Sequence, residues 1–156
     1  MPDDLKLLQR TIDIALESRA SGNHPFGALL ADADGNILIE CGNTHSTDGG
    51  TGHAELNVAR AAAGAHSPEF LAGCTLYTSV EPCSMCAGGC YWAGIGRVVF
   101  GMTEVRLAEL TGDNPENLTM SLPCRQVLAA GQRDVQVSGP FPELEAQILR
   151  THEGFW

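Results

Sequence analysis

With 156 residues, 44% of them hydrophobic and 18% charged, the chain suits one folded domain (1–156) whose core needs no disulfide to hold it. Nineteen acidic residues against nine basic ones give a formal charge of −10; Lys6 is the only lysine, and eight arginines are spread from Arg10 to Arg150 without a stripe, which disfavours a nucleic-acid partner. No run approaches the ~20 apolar residues of a membrane span, and the Met-Pro-Asp-Asp start is acidic where a secretory signal is basic and then apolar, so a cytoplasmic protein with no membrane association is expected.

Leu5, Leu8, Ile12, Ala15 and Leu16 recur at helical spacing, which predicts an amphipathic helix over residues 4–20, stopped by Ser21-Gly22-Asn23. Apolar runs Phe26–Ala31 and Ile37–Cys41 flank Asp32-Ala33-Asp34-Gly35-Asn36, a hairpin signal. A Gly/Thr/Asp-rich loop, Gly42–Gly52, leads into an alanine-rich helix, Ala54–Gly64. Cys74–Val80 reads as a strand. Pro82, tolerated in a first helical turn, opens a helix to about Ala93. Arg97–Phe100 is a short buried strand, 103–110 and 121–130 are helical around the turn-rich Thr111–Thr119, Val135–Ser138 is the last strand and Pro142–Glu153 the last helix. The strands near 98 and 136 are joined by a helical crossover and should run parallel with a right-handed connection. The alternation predicts an α/β fold, a three-layer α/β/α sandwich around a mixed five-stranded sheet.

Six cysteines without a secretory context point to thiols rather than bridges. Cys41, Cys74 and Cys124 sit in apolar patterns and read as inert buried side chains; Cys90, four residues beyond Cys86, packs on the same helix face. Cys83-x-x-Cys86 is different: in a reducing compartment it marks a metal site or a redox pair. It follows Pro82 at a helix start; His53-Ala54-Glu55 stands at another helix start, with 26 residues between Glu55 and Pro82. Helix starts present unpaired N–H groups that favour anions and thiolates. Two thiolates and one imidazole suit zinc, with a fourth position left for water, whose proton the metal makes easier to lose. Glu55, beside that position, is a carboxyl able to carry a proton from water to another group. A non-catalytic zinc module would want a fourth protein ligand and gives Glu55 no task; a thioredoxin-like pair leaves the His-x-Glu unexplained.

This His-Ala-Glu…Pro-Cys-x-x-Cys order, with its surroundings from about Asn23 to Gly101, resembles the zinc-dependent cytidine/deoxycytidylate deaminase-like superfamily. The resemblance implies a cytidine deaminase-like fold, one zinc per chain held by His53, Cys83 and Cys86, and Glu55 as proton shuttle in attack of zinc-bound hydroxide on an amino-substituted ring, with release of ammonia. Pro25-Phe26-Gly27-Ala28 and Tyr91-Trp92-Ala93 are similar to small bacterial guanine and cytosine deaminases. The expected partners are therefore a small nucleobase substrate (guanine, cytosine or an aminotriazine) and water; tRNA adenosine and nucleoside deaminases share the scaffold. A homodimer is implied by the family alone. Asn43 falls where relatives bind the base through an amide, Phe26 is a candidate pocket wall, and the Ala54 backbone is a polar contact. An acidic residue after the fourth strand, Glu104 or Glu109, would read the purine's amino side, although Arg106 intrudes between them. His152, Glu153, Phe155 and Trp156 are lid candidates, while His24 and His45 read as exposed loop histidines near the mouth.

Overall fold

The computed structural model describes residues 2–156. Helix α1 (Asp4–Ala20) is started by Asp3, whose carboxylate accepts the Lys6 N–H at 3.2 Å. Strands β1 (Gly27–Ala31) and β2 (Ile37–Gly42) form the hairpin, its turn closed by Asp32, which accepts the N–H groups of Asp34 and Asn36 at 3.0 and 2.9 Å. The following loop holds a short helix α2 (His45–Asp48) and a 3-10 turn (Gly49–Thr51). Next come α3 (Ala54–Ala65), α4 (Pro68–Leu71), β3 (Thr75–Val80), α5 (Ser84–Ala93), β4 (Arg97–Met102), α6 (Glu104–Thr111), α7 (Cys124–Ala129), β5 (Gln136–Ser138) and α8 (Pro142–His152).

The sheet order is β2-β1-β3-β4-β5, with β1 antiparallel to both neighbours and β3, β4 and β5 mutually parallel. This is the mixed five-stranded sheet expected from the sequence. Period-two alternation divides each central strand between two cores. Leu30, Leu76 and Val98 face α3, α5 and α7 through Val58, Ala62, Ala87, Cys90 and Leu128; Leu29, Tyr77 and Val99 face α1 and α8 through Leu8, Ile12, Leu144 and Ile148. Both faces of β1 and β3 are buried throughout; β1 accordingly reads as a continuous apolar run, while β3 buries Thr75, Thr78 and Ser79 among its apolar residues.

Several boundaries differ from the sequence reading. The predicted helix over 121–130 forms only from Cys124, because the ring of Pro123 disfavours helical backbone at the preceding Leu122 and the proline itself occupies the cap. Pro82 likewise precedes the helix it was expected to open, Cys83 being the cap of α5. Gly64 does not end α3, which continues to Ala65. Neither α2 nor α4 was anticipated; α4 is nucleated by Ser67 accepting the Phe70 N–H at 3.2 Å, with Pro68 in the first turn.

Candidate active site

The carboxyl ends of the parallel strands β3 and β4 lie at one edge of the sheet, where open α/β folds put their ligand sites. Two helix starts meet there. His53 caps α3, Cys83 caps α5, and Cys86 sits in the first turn of α5. The His53 Nδ1 lies 3.5 Å from Cys83 Sγ and 3.4 Å from Cys86 Sγ. One Nδ1–H can aim at only one sulfur, so two near-equal distances are better explained as two edges of a coordination polyhedron. Zn–N of ~2.05 Å and Zn–S of ~2.3 Å at a tetrahedral angle put N and S about 3.6 Å apart. The donor set and its spacing therefore fit zinc, and the three ligand atoms form one compact group. A hydrogen bond from Cys86, then the His53 imidazole, bring the Cys83 thiol down to about 4.

Around this group lies a cleft lined by Phe26, Asn43, Ala54, Glu55, Glu81 and Glu104, among others. Glu55, 6% exposed, follows His53 in the first turn of α3, and burial pushes its carboxyl up to about 7. Glu104, 2% exposed, opens α6 just past β4; burial, and then Cys83, push it up to about 8. Both its oxygens are shielded from water and lack a hydrogen-bond partner, Thr119 facing them without reaching bonding geometry. Asn43 Oδ1 accepts the His45 N–H at 2.8 Å and lies 3.4 Å from the His24 N, leaving Nδ2 as the amide's remaining donor. Ala54, first residue of α3, belongs to the turn whose N–H groups have no intrahelical acceptor.

The structure thus brings together His53, Ala54, Glu55, Cys83, Cys86, Asn43, Phe26 and Glu104. Five other expected contacts lie outside the cleft lining. Glu109 is one helical turn past Glu104 on the solvent side of α6, ion-paired with Arg106, and the same arginine holds Glu145 at 2.9 Å. Glu153 is exposed at the end of α8. His152, Phe155 and Trp156 form a layer behind the cleft rather than a cover over it. The Trp156 Nε1–H donates to His152 Nδ1 at 2.9 Å, folding the indole back against α8, and both rings pack on Phe26. Phe155 and Trp156 set their edges on His24 at 5.6 and 5.0 Å.

His24 itself corrects the expectation of an exposed loop residue: it is 6% exposed and stacks on His45 with ring centroids 4.2 Å apart. Its Nε2–H donates to Glu116 at 2.9 Å, and the same carboxylate oxygen lies 3.5 Å from His45 Nε2. These three side chains form another close His/His/Glu group, the two stacked imidazoles turning their Nε2 atoms to one Glu116 oxygen. Glu81 was also missed. Its two oxygens accept the backbone N–H of Glu104 at 3.0 Å and of Cys124 at 2.9 Å, so one carboxylate holds the starts of α6 and α7. No local pattern marks it; its partners are 23 and 43 residues away.

Residues 1–102 match the family model for the cytidine and deoxycytidylate deaminase zinc-binding region. The chain belongs to this family. Among relatives of this deaminase-family chain, a probable cytosine deaminase from Schizosaccharomyces pombe is 36% identical over 153 residues, covering 98% of the chain and 92% of the relative. The guanine deaminase of Bacillus subtilis is 37% identical over 109 residues, 69% of each protein, and its X-ray structure superposes with a TM-score of 0.62. A tRNA-specific adenosine deaminase from Haemophilus influenzae is 35% identical over 104 residues, 66% of the chain and 60% of that enzyme. Among the described residues of this family member, no helix is long and apolar enough to cross a membrane.

Proposed function

We propose that this deaminase-family chain is a cytoplasmic, zinc-dependent aminohydrolase of a free nucleobase or close analogue (guanine, cytosine or an aminotriazine), folded as a single domain and assembled as a homodimer. The observation that carries the reading is the joint placement of His53, Cys83 and Cys86 at two facing helix starts with the buried Glu55 beside them. His53, Cys83 and Cys86 would hold one zinc, which supplies easier ionisation of water near neutral pH. Glu55 then carries two protons in turn, the first from water to a ring nitrogen and the second from the added hydroxyl to the departing amino group, whose loss as ammonia completes the hydrolysis. Its raised pKa suits a group that must be both base and acid near neutrality. Phe26 walls the ring, the Asn43 amide and the Ala54 N–H bind its polar edge, and Glu104 offers the carboxyl that reads further N–H groups. His24, packed between His45 and the Phe155–Trp156 layer, forms part of the cleft wall.

A second reading, deamination of adenosine in tRNA, is supported by the adenosine-deaminase relatives. The net charge of −10 and the Glu116 carboxylate at the mouth oppose a polyanion. Ammonia release from guanine, cytosine, aminotriazines, their nucleosides and tRNA by the zinc-loaded protein separates the two. In the same assay Glu55→Gln should keep its zinc and lose at least about 100-fold in turnover. Full activity in this variant would remove the shuttle; loss of the metal would make Glu55 a ligand.

A further inference from the structure

Segment 112–123, between α6 and α7, supplies Glu116, Asn117 and Thr119 to the cleft wall. Its turn is fixed rather than loose. The Asn117 N–H donates to the Asn114 carbonyl at 2.9 Å, Asn114 Oδ1 accepts the Glu116 N–H at 3.0 Å, and Glu116 is tied across the mouth to His24. On this rigid turn the side-chain Nδ2 of Asn117 is shielded from water and has no hydrogen-bond partner. A buried N–H left unpaired is costly, and the segment holds such an unsatisfied donor at the cleft wall. Glu104, on the same wall, holds two carboxyl oxygens in the same condition. A donor and a carboxyl lining one cleft, neither satisfied by protein, fit a ligand edge that carries an acceptor beside an N–H.

We infer that Asn117 is a substrate-contacting residue whose amide donates to a carbonyl oxygen of the base while Glu104 meets the adjacent ring N–H. This rests on the base-deaminase reading above and narrows it to ring lactams that also bear the scissile amino group. Guanine and cytosine both qualify; 2-aminopurine and 4-aminopyrimidine keep the amino group but lack the carbonyl and its N–H.

The test crosses the two deletions in zinc-loaded protein. Wild type and Asn117→Ala are assayed on guanine against 2-aminopurine and on cytosine against 4-aminopyrimidine, by kcat/KM or, where an analogue is not turned over, by its inhibition constant. Asn117→Ala should weaken the carbonyl-bearing base at least about tenfold, chiefly in KM, and leave its analogue nearly unchanged. Asn117→Leu, which keeps the size but removes the donor, should show the same pattern. Because an unpaired donor is removed, the ligand-free alanine variant should melt no lower than wild type with equal zinc content; a lower Tm with equal losses on base and analogue assigns Asn117 a structural role and overturns the inference. If wild type releases ammonia from no base or aminotriazine, the underlying substrate reading fails, and this inference with it; release only from bases without a ring carbonyl keeps that reading and overturns this inference alone.

Discussion

One carboxylate sets the geometry of the cleft wall. Glu81 follows β3 and faces the first N–H of both α6 and α7, where unpaired donors and the helix dipole favour a negative charge. Without it, Glu104 and segment 112–123 lose their common anchor. In Glu81→Gln one oxygen becomes an NH2 that meets an N–H, so one of two helix starts is left unpaired at a cost of about 1–3 kcal/mol. Urea unfolding should show that loss; an unchanged midpoint would mean water replaces the missing acceptor. Of the site's residues, those legible in the sequence share one property: their roles are set locally. His53, Glu55, Cys83 and Cys86 fall in two short motifs, each at a helix start, and spacing alone aligns their side chains. Glu81 and His24 gained their roles from partners remote in the chain, and no window of residues contains that information. Glu109 shows the converse, since an acid at helical spacing is legible but the face it takes depends on Arg106 and Glu145.

The long helix α1 was readable from its apolar period, and it buries Leu8, Ile12 and Ala15 as that spacing requires, but Leu5 and Leu16 of the same pattern are exposed and Leu7, Thr11 and Ile14 fill the buried face instead. Elements of four or six residues were missed or overextended, their start depending on one cap and their existence on packing. The packing of α1 on β1 has its own signature in Gly27. A Cβ built there would stand 2.2 Å from the Thr11 carbonyl oxygen and 2.7 Å from the Ala15 nitrogen, both backbone atoms with no rotamer to change. Helix and strand therefore touch main chain to main chain. Gly27→Ala has to push α1 off the sheet, opening the core of Leu8, Ile12, Leu29 and Tyr77. The expected cost is about 3 kcal/mol or more, read as a lowered urea midpoint or, at the extreme, insoluble protein. A loss under about 1 kcal/mol would show that α1 slides freely over β1.

The pH response of the whole molecule follows from which groups fold away uncharged. His152 is buried in α8, where its Nδ1 accepts the Trp156 N–H; desolvation, then the Arg19 charge, lower it to about 4 from an ordinary 6.5. The unfolded chain then takes up a proton below about pH 6.5 that the folded chain refuses until about pH 4. Stability from this residue is complete above pH 6.5 and drains away across that window, by on the order of 3 kcal/mol in total. His24, also lowered by burial, adds a slope in the same direction. Carboxylates held down by partners act later: Asp4, bonded to Arg97 and Tyr77, releases its contribution only as the pH falls below about 3.8. The contribution of His152 therefore weakens with acid well before the structural carboxylates protonate, whereas the buried Glu55 and Glu104, raised to about 7 and 8, act in the opposite direction as they take up protons. Zinc loss at low pH would contribute to the same decline, so the decisive quantity is a difference between two proteins. His152→Gln keeps an acceptor for Trp156 but cannot titrate. Its unfolding free energy, subtracted from that of wild type at each pH, should give a curve flat above pH 6.5 and falling steadily toward pH 4. A flat difference throughout would mean that His152 meets water, and that the Phe155–Trp156 layer opens often enough for a proton to reach it.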